Sequence, residues 1–97
     1  MQVAGGDARL GPQLMREYGC NTCHVVPGVR GADALVGPPL IRWSRRTYVA
    51  GLLPNTPENL VRFIHDPQQV HAESAMPNTG ISVDEARHVA AYLYTLR

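Results

Sequence analysis

The chain has 97 residues, 44% of them apolar, with a single Trp, and its nine arginines (there is no lysine) face eight acidic residues for a formal charge of +1. That is one domain, residues 1–97, near the size at which a core built from protein alone is thin. No basic run or aromatic–basic interleaving appears, which excludes nucleic acid as an expected partner, and no apolar stretch approaches the ~20 residues of a membrane span.

In chain order, residues 1–7 carry neither a basic n-region nor an apolar h-region. They read as a flexible tail or an artificial start, with no export signal. From about residue 8 to 19, Ala8, Leu10, Leu14, Met15 and Tyr18 recur at helical spacing, and Gly19 closes the segment. Met15, on that helix face, is expected to fill the core.

Next comes Cys20-Asn21-Thr22-Cys23-His24, the Cys-x-x-Cys-His signature of c-type haem attachment. Two thiols at this spacing can add as thioethers to the two vinyl groups on one porphyrin edge. The imidazole beside the second thiol then lies under the iron as the proximal ligand. A thioredoxin-like disulfide would need a βαβ frame that the pattern lacks, and a zinc site a second ligand pair. A covalent haem also supplies the apolar mass and staple that so small a scaffold needs.

Residues 25–41, punctuated by Pro27, Gly28, Gly31, Gly37, Pro38 and Pro39, read as loop, and a short helical piece is expected around 46–53. Thr56-Pro57-Glu58 reads as an N-cap, a proline at the first helical position and an acid in the first turn. Leu60, Phe63 and Ile64 form one face of this helix, which Asp66-Pro67 stops. A loop is expected over 67–81. Ser82-Val83-Asp84-Glu85 is a capping box that opens a last helix with Val89, Tyr92, Leu93 and Leu96 on one side. No strand pair or repeat is visible, so the expected class is all-α: three to five short helices wrapped around one covalent haem.

A second axial ligand is expected late in the chain. Met76, in Ser74-Ala75-Met76-Pro77, lies in the loop between the last two helices, where a thioether can reach the distal face of the haem. His71 is the rival distal ligand. His65 and His88 read as surface or cap residues, and Arg62 and Arg87 as solvated helix faces. For the haem propionates, Arg46 is the candidate bidentate partner, while Trp43 is a candidate N–H donor or a core filler.

On these residues the chain resembles the class I cytochrome c family over almost its whole length. The resemblance implies that Gly11, Leu14 and Met15 contact Tyr92 and Leu93 between the first and last helices. Gly37-Pro38-Pro39-Leu40 is similar to the family's Gly-Pro-x-Leu, implying that the Pro38 carbonyl accepts the His24 Nδ1 proton and that Leu40 packs on the haem. Ser74 resembles a propionate-binding hydroxyl position. Phe63 stands where relatives carry Tyr, so it offers an apolar wall and no hydroxyl to the Met76 sulfur.

A narrower resemblance runs from Arg46-Thr47-Tyr48-Val49-Ala50-Gly51 through Leu53-Pro54-Asn55-Thr56-Pro57-Glu58-Asn59-Leu60. It is similar to the cytochrome c domain fused to subunit II of some bacterial haem–copper oxidases. This implies an electron-transfer domain, not an enzyme in itself, that holds one haem c and exchanges electrons with redox protein partners. The acceptor would be the oxidase's dinuclear copper centre, and the location the periplasm or the outer face of the bacterial cytoplasmic membrane. The alternatives are a freely diffusing periplasmic carrier, a ligand-binding or peroxidatic haem protein with an open iron position, and a structural haem domain. Without lysines, partner contact is expected to be largely apolar and weakly steered by charge, or the segment, which does not itself span a membrane, to be tethered to one so that long-range steering is unnecessary.

Overall fold

The computed structural model describes residues 3–18, 43–49, 53–70 and 78–96. The described residues form four α-helices, α1 (Gly11–Glu17), α2 (Pro57–His65), α3 (Pro67–Val70) and α4 (Val83–Leu93), with 3-10 turns at Ala8–Leu10 and Trp43–Arg45. A two-stranded antiparallel ladder, β1 (Tyr48–Val49) and β2 (Leu53–Pro54), pairs Tyr48 with Pro54 and Val49 with Leu53.

The helix starts arise from local chemistry. Thr56 is extended and its hydroxyl accepts from the Asn59 N–H, with Pro57 just inside α2 where a missing N–H costs nothing. Ser82 and Glu85 form the reciprocal capping box at α4, each side chain accepting the other's backbone N–H. The first helical stretch is divided into a 3-10 turn and α1, with the Asp7 carboxylate accepting from the Arg9 N–H at the start.

Three expectations need correction. In place of a helical piece over 46–53, the chain forms the β1–β2 ladder, with Pro54 on an edge that asks no N–H of it. Residues 67–70 are helical, not loop, because Asp66 serves two helices. Its backbone N–H closes α2 on the Arg62 carbonyl, and its carboxylate accepts from the Gln69 N–H at the start of α3. Residues 3–7 are packed instead of trailing as a tail. Val3 is buried, the Gly6 N–H bonds the Val3 carbonyl, and the Asp7 N–H donates to His88 Nδ1 at 2.8 Å. Arg87 has the solvated face expected of it, its side chain 41% exposed and paired with the exposed Asp84.

The core gathers Met15 from α1, Leu60, Val61 and Ile64 from α2, and Ala86, Val89, Ala90 and Leu93 from α4, closed by Val3, Trp43, Val49, Ile81 and Tyr94. Each fully buried large side chain in it stabilises the fold by about 1.5–3 kcal/mol. Met15 fills the core as its helix position implies. α4 is the central element, touching α1, α2 and the first 3-10 turn.

Candidate cofactor site

Of the residues that the sequence assigns to the haem, Cys20, Cys23, His24, Pro38, Leu40, Ser74 and Met76 lie outside the described residues, as does His71. The described residues supply the frame around them. The segment 19–42 is flanked by Tyr18 and Trp43, and the segment 71–77 by Val70 and Asn78, and every one of these flanks is tied down.

Tyr18, two residues before Cys20, donates its hydroxyl to the Glu85 carboxylate at 2.8 Å, the carboxylate that also closes the α4 capping box. Tyr18 and, after it, Ser82 hold the Glu85 carboxyl below its ordinary range, and the carboxylate in turn pushes the Tyr18 hydroxyl up. At the other flank, the Ser44 N–H bonds the Leu96 carbonyl at 2.8 Å, and Trp43 is buried in the core. The flanks of 71–77 meet through the Gln68 N–H on Asn78 Oδ1 and, one turn earlier on α2, through His65 Nδ1–H on the Ile81 carbonyl at 2.8 Å. His65 therefore acts as a clamp at the end of α2, and His88 as one between α4 and Asp7.

Trp43, Arg46 and Phe63 lie within the described residues. Phe63 is half-buried and packs against the core from α2. The Arg46 guanidinium carbon lies 5.3 Å from the centre of the Trp43 ring, a cation–π stacking distance. Among the described residues, the Trp43 indole nitrogen is the one buried side-chain polar atom without a hydrogen-bond partner. A buried N–H left unpaired costs about 1–3 kcal/mol, so the position calls for an acceptor. A carboxylate there would satisfy the indole N–H with a guanidinium close by, and the residues present therefore fit a haem propionate.

Sequence reasoning passes over Asn55. Its Nδ2 donates to the Arg46 carbonyl at 2.9 Å and, more weakly, to the Trp43 carbonyl at 3.4 Å, while its backbone N–H bonds the Thr47 carbonyl. Its Oδ1 accepts from the Tyr94 hydroxyl at 2.6 Å. Burial, with Glu58 adding a smaller repulsion, pushes Tyr94 up to about 12, so it remains a donor throughout the neutral range. The partners of its side chain are 9 to 39 residues away in the chain, so no local pattern announces them.

No family model matches the chain. It is 34% identical over 91 residues, 93% of its length, to cytochrome c oxidase subunit 2 of Alkalihalophilus pseudofirmus, covering 26% of that protein. To cytochrome c oxidase subunit 2 of Bacillus subtilis it is 30% identical over 89 residues, 90% of the chain and 25% of that protein. The chain thus spans about a quarter of the length of the curated relatives it matches. Its fold matches that of cytochrome c2 from Rhodobacter sphaeroides with a TM-score of 0.63 and 21% identity, over 94% of this chain and 96% of that one. Among the described residues no helix is long and apolar enough to cross a membrane. The chain has the class I cytochrome c fold and resembles, in sequence, part of subunit 2 of bacterial cytochrome c oxidases.

Proposed function

We propose that this chain is a one-electron carrier holding a single covalent c-type haem, attached through Cys20 and Cys23 with His24 and Met76 as axial ligands. The observation that carries this reading is the Cys-x-x-Cys-His run in a chain with the class I cytochrome c fold. Haem iron, when bound, supplies a one-electron ferric/ferrous couple; the chain's part is to orient it, tune it and keep water away. His24 and Met76 would both hold the iron, which would leave no position on it for a substrate and make the chain a carrier instead of an enzyme. A thioether in the second position raises the potential relative to a second imidazole.

The other residues have supporting parts. The Pro38 carbonyl would accept the His24 Nδ1 proton, fixing the ring and raising its basicity. Leu40 and Phe63 would form apolar walls that exclude water. The Trp43 N–H and Arg46 would hold a propionate, with the Ser74 hydroxyl at the other carboxylate.

The acceptor we propose is the dinuclear copper site of a haem–copper oxidase, on the periplasmic or outer face of the bacterial cytoplasmic membrane. The support is that both curated relatives are cytochrome c oxidase subunit 2 and match over nine-tenths or more of this chain. Mixing the ferrous protein with the copper domain of a subunit 2 in a stopped-flow instrument tests this. The copper absorption should bleach as the haem oxidises. With a formal charge of only +1 and no lysine, the rate should depend weakly on salt. Failure to reduce that copper site would assign the chain to another partner, and a steep fall in rate with salt would rule out a mainly apolar contact.

A further inference from the structure

The Trp43–Arg46 turn bears both described candidates for a propionate, and its shape is set by one side chain. Asn55 spends its whole amide there. Its Nδ2 donates to the carbonyls of Arg46 and Trp43, at 2.9 and 3.4 Å, and its Oδ1 is claimed by the Tyr94 hydroxyl at 2.6 Å. These bonds lock the turn to the end of α4, where the Ser44 N–H to Leu96 carbonyl bond at 2.8 Å provides a second tie. Within the turn the Arg46 N–H closes on the Trp43 carbonyl, and the guanidinium lies over the indole. The backbone that carries the indole is thereby fixed, and the indole nitrogen is buried and without a partner among the described residues.

We infer that Asn55, held by Tyr94, is a positioning residue that aims the Trp43 indole N–H at a haem propionate and so controls the ionisation of that propionate. The inference rests on the haem reading proposed above. Its physical content is a chain of two hydrogen bonds, from Tyr94 O–H to Asn55 and from Asn55 N–H to the turn, that fixes where a third donor points. A donor on an ionised carboxylate lowers its pKa, so loosening the donor should raise it. An ionised carboxylate near the iron favours the ferric state. The pH at which the potential changes with propionate ionisation therefore reports the aim of Trp43.

The test uses haem-loaded protein, with loading verified by mass, for wild type, Trp43→Phe, Asn55→Ala, Tyr94→Phe and the double variant Asn55→Ala/Trp43→Phe. The midpoint potential is followed against pH. In the reduced forms that retain the tryptophan, the indole proton–nitrogen resonance is recorded; with one Trp in the chain it is a single peak. Trp43→Phe should move the inflection in potential to higher pH. Asn55→Ala should move it the same way and displace the indole resonance, and the double variant should shift no further than Trp43→Phe alone.

Tyr94→Phe, which removes one oxygen and keeps the packing, should give a smaller shift of the same sign, and it decides the matter if Asn55→Ala does not fold. Lowered melting temperatures with an unmoved inflection and an unmoved indole peak would make Asn55 merely structural and overturn the inference. An inflection indifferent to Trp43→Phe would overturn it too, leaving the haem reading intact. Absence of haem from correctly matured wild type would instead bring down the haem reading, and this inference with it.

Discussion

A Cβ placed on Gly11 would lie 2.4 Å from the Cβ of Tyr92 and 3.1 Å from the His88 carbonyl oxygen, so α1 and α4 meet where no side chain fits. In an open helix, replacing Gly by Ala gains up to about 1 kcal/mol. Here the overlap is with the root of a side chain and with backbone, neither of which can swing away, and overpacking of that kind costs about 1–3 kcal/mol. Gly11→Ala should therefore lower stability in urea unfolding. A more stable variant would show that the two helices do not touch at this point.

The same interface predicts the effect of a cavity. Leu93 is 3% exposed and lies in the core cluster with Met15. Leu93→Ala should cost about 2–5 kcal/mol from lost burial plus the hole left behind. A melting temperature near wild type would show that the side chain is not packed as described.

The bond between Tyr18 and Glu85 makes a prediction about acid. Glu85 is held below its ordinary value of 4.5, first by the Tyr18 hydroxyl and then by Ser82. For a carboxyl depressed in the folded state, the stabilisation is present above the unfolded value and is lost as pH falls through the folded one. Tyr18→Phe should thus be less stable than wild type at neutral pH, with the gap closing below about pH 4.5. Carbon-detected titration of Glu85 should show its pKa rising in the variant. A Glu85 titration that Tyr18→Phe leaves unmoved would show that the hydroxyl does not bind the carboxylate.

How much of this is legible in the sequence depends on how local each cause is. The caps at Thr56 and Ser82 act within three residues, and the helices that they start can be read directly from the chain. The first-to-last helix contact is implied by the family resemblance, and the Gly11–Tyr92 approach bears it out. β1 and β2 escape a sequence reading because two-residue strands display no alternation. α3 escapes it because Asp66-Pro67 reads as a stop, although Asp66 also caps α3 itself. The docking of residues 3–7 depends on a bond from Asp7 to His88, 81 positions away, and on Gly6, whose Cβ would meet the Arg87 carbonyl at 2.6 Å. At the site, the Cys-x-x-Cys-His run is plain because covalent chemistry fixes its spacing. Asn55 is invisible because its partners come together only on folding.

Ligation of the iron gives a further prediction. Met76→Ala should lower the potential, abolish the sulfur-to-ferric-iron absorption and let carbon monoxide bind the reduced protein. If wild type lacks that absorption and His71→Ala opens the iron instead, the distal ligand is His71.

The most direct measurement of the central claim is the mass of the denatured, correctly matured protein. Thioether bonds survive denaturation, so the account predicts the polypeptide plus one haem, with neither Cys20 nor Cys23 available to a thiol reagent and no disulfide between them. A mass equal to the bare chain would contradict it.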